Sequence, residues 1–195
     1  GNYNFYGGYA AGGLKGDYNV ALGKYARREK CGDHNIAMGQ CAAGKCTACN
    51  THNITMGYFS AACITTGSNN IFLGQCTAAT GTVTGNCNVV IGTNAGLALA
   101  QGSFNVAIGQ QALKCNISQN SIVAIGNAAG LNATNAQTSI FIGAKAGACQ
   151  GNGVKNLFLG YYAGKGSGTV SHNDGDCNTF IGHYAGNATC SGSKN

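Results

Sequence analysis

One five-residue pattern runs through the whole chain: Asn, an apolar residue, a variable residue, a second apolar residue, Gly. It is plain in Asn19-Val-Ala-Leu-Gly23, Asn35-Ile-Ala-Met-Gly39, Asn53-Ile-Thr-Met-Gly57, Asn70-Ile-Phe-Leu-Gly74 and Asn88-Val-Val-Ile-Gly92. Later copies are Asn105-Val-Ala-Ile-Gly109, Ile122-Val-Ala-Ile-Gly126, Ser139-Ile-Phe-Ile-Gly143, Asn156-Leu-Phe-Leu-Gly160 and Asn178-Thr-Phe-Ile-Gly182, and a degenerate first copy ends at Gly7. Taking these glycines as anchors, the spacings are 16, 16, 18, 17, 18, 17, 17, 17, 17 and 22. A helical-hairpin repeat needs about 34 residues or more, so a period near 17 excludes it. The period suits one coil of a parallel β-solenoid, each strand lying on the strand of the coil before. The expected fold is therefore all-β, a parallel β-solenoid of about eleven coils spanning residues 1–195 as one repetitive segment.

Strand side chains alternate between two faces, which divides the repeat into stripes. The residue before each anchor is Leu22, Met38, Met56, Leu73, Ile91, Ile108, Ile125, Ile142, Leu159 or Ile181, and the residue three before is mostly Val or Ile. These two positions are expected to fill the inside of the coil. The residue two before points the other way and is also largely apolar, with Phe72, Val90, Phe141, Phe158 and Phe180 its bulkiest members. A second apolar stripe marks an interface between chains. The competing reading is a wide core whose second stripe is covered by loops. The Asn opening most copies is expected to stack into a ladder of amide hydrogen bonds, or to reflect turn propensity alone.

Composition agrees with a stacked-strand rod. Charged residues are 8% of the chain and Gly is 33 of 195, against roughly 25% and 7% in an ordinary domain. Pro is absent, as expected where every backbone N–H joins a ladder. The net charge of +6 is mild, and its one cluster, Lys24, Arg27, Arg28 and Lys30, is interrupted by Glu29. Nucleic-acid binding is not expected from so little charge. No apolar run is long enough to span a membrane as a helix. The chain starts inside one repeat and ends where another could begin, so it reads as an internal piece of a longer fibre protein.

Asn105-Val-Ala-Ile-Gly109 and Ile122-Val-Ala-Ile-Gly126 resemble the Ser-Val-Ala-Ile-Gly head repeats of trimeric autotransporter adhesins. The Cys-bearing, Gly/Asn-rich repeats are also similar to those of tail-fibre and other virion proteins of marine phages, notably cyanophages. The resemblance implies a left-handed β-roll assembled as an elongated homotrimer, with the Phe-bearing stripe around the threefold axis. The repeats are about 17 residues long where the adhesin heads have about 14, and no coiled-coil stalk or outer-membrane anchor is visible.

Candidate chemistry is sparse. The acids are Asp17, Glu29, Asp33, Asp174 and Asp176, and no motif draws them together, so no catalytic residue, cofactor or enzymatic activity is expected. Asp174 and Asp176, in the insertion Lys165–Cys177, are weak candidates for oxygen ligation of Ca²⁺, against a solvated turn. His34 and His52 both lie five before their anchors, and Asn69 and Cys87 continue that row. The two imidazoles are a weak metal candidate, against a polar ladder. Among eleven cysteines, Cys31 with Cys49 and Cys46 with Cys63 fall at matching places in adjacent coils, within disulfide reach. The alternative is buried free thiol.

The function expected is a structural shaft of a viral tail fibre, at a virion or extracellular surface. Its partners would be further copies of itself, other virion proteins and, through the Lys165–Cys177 insertion and the basic turn at Lys24–Lys30, a host glycan or lipopolysaccharide. A bacterial trimeric adhesin head and the non-catalytic part of a glycan-degrading fibre are the alternatives.

Overall fold

The structure is a computed structural model describing residues 3–12, 16–27, 31–44, 48–166, 175–187 and 192–193. Eleven strands lie in it: β1 (Phe5–Gly7), β2 (Val20–Leu22), β3 (Ile36–Met38), β4 (Ile54–Met56), β5 (Ile71–Leu73), β6 (Val89–Ile91), β7 (Val106–Ile108), β8 (Val123–Ile125), β9 (Ile140–Ile142), β10 (Leu157–Leu159) and β11 (Thr179–Ile181). They form one parallel sheet in strict sequence order, and each strand pairs with the next without slippage, as in Val106↔Val123 and Ile108↔Ile125. No helix occurs among the described residues. The chain is thus a parallel β-solenoid, one strand to each coil.

The strands are three residues long, not the four or five the motif suggests, and the backbone on either side explains it. In the coils of β2 to β11 the residue five before the anchor is left-handed, from His34 at φ 56° to Phe104 at φ 60°. The anchor Gly sits at φ between 122° and 133°, a region essentially closed to other residues. Between these two turns there is room for Asn and three extended residues. A Cβ on an anchor would lie within 2.8 Å of backbone atoms of the next anchor, as at Gly23 against Gly39. The register also corrects the first copy. Phe5 pairs with Val20 and Gly7 with Leu22, so Gly8, at φ 122°, is the anchor and Tyr6 takes the place two before it. Asn4 then opens the copy, and its Oδ1 accepts from the Asn19 N–H at 2.8 Å.

The two faces are the reverse of the sequence expectation. Phe72, Val90, Phe141 and Phe158 are wholly buried within the single chain, as are Ala21 and Ala124. They line the inside of the coil, and Phe180 packs partly buried against them. Leu22, Met38, Leu73, Ile91, Ile108 and Ile142 are only half-buried, and Met56, Ile125, Leu159 and Ile181 are exposed, so these ten point outward. Alternation itself holds. What decides the direction is the Asn four before the anchor, which shares a face with the residue two before. Asn19, Asn35, Asn53, Asn70, Asn88, Asn105, Asn156 and Asn178 are all at most 3% exposed. An amide can face inward there because the stack satisfies it. Asn88 Oδ1 accepts the Asn105 N–H at 2.9 Å. Its Nδ2 donates to Asn70 Oδ1 at 3.0 Å and to the Gly102 carbonyl at 2.8 Å. The expected amide ladder therefore exists, and it fixes which face is the interior.

In several coils bulk is shared between two positions six residues apart. In the last three the inward strand residue is Phe and the residue four past the anchor is Gly, whereas Phe72 is followed by Ala78. Phe141 faces Gly147, Phe158 faces Gly164 and Phe180 faces Gly186, and a Cβ on any of these glycines would lie inside 3 Å of the ring. In two of the coils with Ala on the strand the partner is larger: Ala107 is matched by Leu113 and Ala21 by Arg27, both partners buried, while Ala37 has Ala43 and Ala124 has Gly130. The corners carry their own hydrogen-bond ladders. The residue two past each anchor is left-handed in every coil, and its N–H donates to the coil before, as Gln111 does to Thr93 O at 3.0 Å and Tyr162 to Ala144 O at 3.0 Å. These bonds offset the roughly 1–2 kcal/mol that each left-handed non-glycine costs.

Candidate functional site

Outside the coil, the sheet presents the residues one and three before each anchor. Over β2 to β11 these are twenty positions, and Thr179 is the one that is not aliphatic. They form a strip one strand wide and, at ~4.8 Å per rung, about 50 Å long. Exposure along it reaches 36% at Ile125, 40% at Leu159 and 62% at Ile181. A strip this size covers on the order of 500 Å², the upper end of what soluble monomers leave bare.

The turn after each strand builds a second surface. Residues one and two past the anchor stand side by side and stack on their equivalents in neighbouring coils. At the β10–β11 end this gives a packed group of rings. Tyr161 stacks on His183 at 5.1 Å and Tyr162 on Tyr184 at 5.1 Å, while Tyr161 touches Tyr162 at 4.4 Å. Lys145 Nζ donates to Tyr162 Oη at 2.8 Å and stands over its ring, as does Lys165 Nζ at 4.8 Å. The hydrogen bond to Tyr162 holds the Lys145 ammonium above its ordinary range, and the same bond lowers the Tyr162 phenol. Desolvation raises Tyr161. The sequence reading passed over this group, although the register signals it: Tyr161 and Tyr162 follow one anchor as His183 and Tyr184 follow the next.

The residues singled out from sequence are placed as follows. Cys31 and Cys49 form a disulfide with Cα atoms 4.8 Å apart. Cys46 lies outside the described residues, and Cys63 is a half-buried free thiol. His34 and His52 stack at 4.9 Å, continuing the exposed row Tyr3, Tyr18. Among the described residues no group of three or more His, Cys, Asp or Glu is placed to hold a metal. Asp174 lies outside the described residues. Asp176 uses Oδ1 to accept the Val154 N–H at 2.7 Å, closing a rung rather than opening a loop. The basic turn is not one surface. Lys24 lies exposed over Tyr25, but Arg27 is buried, its guanidinium donating to the carbonyls of Cys31 and Gly32 at 3.0 and 2.9 Å. Arg28, Glu29 and Lys30 lie outside the described residues, as do residues 167–174 of the long insertion.

The fold and these surfaces define a parallel β-solenoid repeat protein with a bare apolar sheet face. No protein-family model, curated protein or solved structure matches the chain.

Proposed function

We propose that this chain is a shaft segment of a homotrimeric fibre, a left-handed β-roll at a virion or extracellular surface whose work is mechanical spacing. The observation that carries the reading is the nearly unbroken aliphatic strip on the outer face of the sheet. Three copies with these strips turned toward a common axis bury them along the whole rod. Register never slips between rungs, so equivalent side chains of three copies meet level by level. At ~25 cal/mol per Å² of apolar surface removed from water, such a seam is a strong driving force for assembly. The Phe-bearing stripe is already spent inside the coil, and the seam belongs to Leu22, Leu73, Ile91, Ile108, Ile142 and their neighbours. Host contact, where this segment makes any, falls to the exposed turns.

Multi-angle light scattering of the purified chain tests this. A mass three times that of one chain is expected, unchanged on dilution through the micromolar range. A stable monomer, or a dimer, overturns the trimer. Blocking of virus adsorption by added trimer tests the adhesive role, and its absence reduces the segment to a spacer.

A further inference from the structure

The row of residues one past each anchor carries an aromatic or polar side chain in every coil but one. The exception is Ala144, in the coil of β9. Its neighbours in the row are Tyr161 above and Asn127 below, both exposed, and Ala144 between them is itself only half-buried. Rungs repeat every ~4.8 Å, so dropping one side chain to a methyl leaves a gap of roughly 9–10 Å between the Tyr161 ring and the Asn127 side chain. A saturated six-membered ring in van der Waals contact on both sides needs about 8 Å.

The walls of this gap are fixed and chemically distinct. Tyr161 is clamped on its far side by His183 at 5.1 Å with planes 16° apart, and on its edge by Tyr162 and Tyr184. The face it turns toward Ala144 is left to solvent or ligand. Asn127 is held from behind by its Nδ2, which donates to Gln110 Oε1 at 3.2 Å, so one fixed carboxamide forms the opposite wall. Lys145, next in sequence to Ala144, brings an ammonium anchored on Tyr162 Oη at 2.8 Å. An aromatic face, one amide and one positive charge around a slot one ring wide make a small, ordered set of contacts.

We infer that this slot binds one pyranose unit bearing a carboxylate, within an acidic glycan. The C–H face of the sugar lies on Tyr161, its hydroxyls bond Asn127, and its carboxylate meets Lys145. A single ammonium suits a singly charged substituent. The setting, a host-surface polysaccharide, rests on the fibre reading above; the slot itself rests on the missing side chain at Ala144. Trimer copies present the slot three times, so weak single-site affinity is raised by multivalency.

The test is titration of the purified chain with digalacturonate and with its neutral counterpart, galactobiose. It is followed by calorimetry and by the ring-proton shifts of Tyr161 and His183. Saturable binding is expected, about tenfold tighter for the acidic sugar. Tyr161→Ala should weaken both sugars about tenfold or more. Lys145→Met should leave galactobiose binding and erase the acidic preference. Ala144→Gln should fill the slot and abolish binding of both, with the circular dichroism spectrum and oligomeric mass unchanged. Absence of saturable binding to either sugar overturns the inference, as does undiminished binding by Ala144→Gln. Mass measured on the same samples separates the two readings. A trimer that ignores both sugars removes the slot and leaves the shaft, whereas a monomer that binds the acidic sugar removes the trimer and leaves the slot.

Discussion

The buried asparagines hold the solenoid's interior in place because each amide is used twice. Asn88 accepts from the coil above and donates both to the coil below and to the Gly102 carbonyl. Replacing it with Asp keeps the shape and removes the donor. A carboxylate oxygen would then face Asn70 Oδ1, which keeps only the Asn88 N–H, and the Gly102 carbonyl, which loses its donor from Asn88. Asn88→Asp should cost about 3 kcal/mol or more, read as a lowered denaturation midpoint. Asn127→Asp, on the exposed surface, should cost little. Retention of the wild-type midpoint by Asn88→Asp would show that the amide ladder is ornamental. The chain has its own natural break, where Ile122 follows Asn105 and Ser139 follows Ile122; there Ser139 Oγ resumes the ladder by accepting the Asn156 N–H at 3.1 Å.

At the scale of one coil, the turn rows behave as columns of touching side chains, and their titration reports the contact. Tyr162 has its pKa lowered, chiefly by the hydrogen bond from Lys145, while Tyr161 is raised by desolvation. In an alkaline titration followed by phenolate absorbance or ring-carbon shifts, Tyr162 should ionise before Tyr161. Lys145→Met should move the Tyr162 transition to higher pH and narrow the interval between them. Coincident titration of the two in the native chain would deny the Lys145 contact. The coil is also where legibility from sequence divides. Period and parallel stacking follow from spacing alone, because each is a statement about register; spacing also brings Cys31 level with Cys49 and aligns the asparagines, while the disulfide and the amide hydrogen bonds are decided by the structure. The direction of the faces does not follow from spacing. Ile and Leu before the anchor attract an inside assignment by size and hydropathy, yet the strand positions that face the interior carry Ala, Thr, Val or Phe. The signal was available in two places: the Asn four before the anchor shares parity with the inward residue, and Phe141, Phe158 and Phe180 are each followed six residues later by Gly. Rows of turn side chains were legible too, once Gly8 rather than Gly7 is taken as the first anchor.

For the whole molecule the reversed faces give opposite fates to two similar substitutions. Phe141→Asp places an unpaired charge inside the coil and should destroy the solenoid itself, with loss of the β-sheet spectrum. Ile108→Asp places it on the outer strip and should leave the spectrum intact while dissociating the proposed trimer to monomers by light scattering. Dissociation without unfolding by Phe141→Asp would restore the Phe stripe to the interface. Because each rung touches its neighbours, stability accumulates rung by rung, and a rung can be excised. Deleting residues 97–113 removes 17 residues and leaves Val90 with Gly96. Deleting residues 93–109 also removes 17 and keeps register, but pairs Val90 with Leu113. The second should be less stable by about 1–3 kcal/mol, the scale of an overpacked core. Equal midpoints for the two would mean that bulk is not shared within the coil.

That sharing of bulk between a strand residue and its partner six positions on bears on how such a rod changes length over generations. A duplication or loss that copies both partners together carries the fit within the coil with it and leaves only the contacts to flanking coils, such as Gly130 against Leu113 and Phe141, to be re-made. One whose breakpoint falls between a Phe and its Gly arrives misfitted at the new junction. Lineages that lengthen or shorten this rod should therefore show recombination breakpoints concentrated just past the fourth residue after the anchor and sparse in the short interval between the strand and that residue.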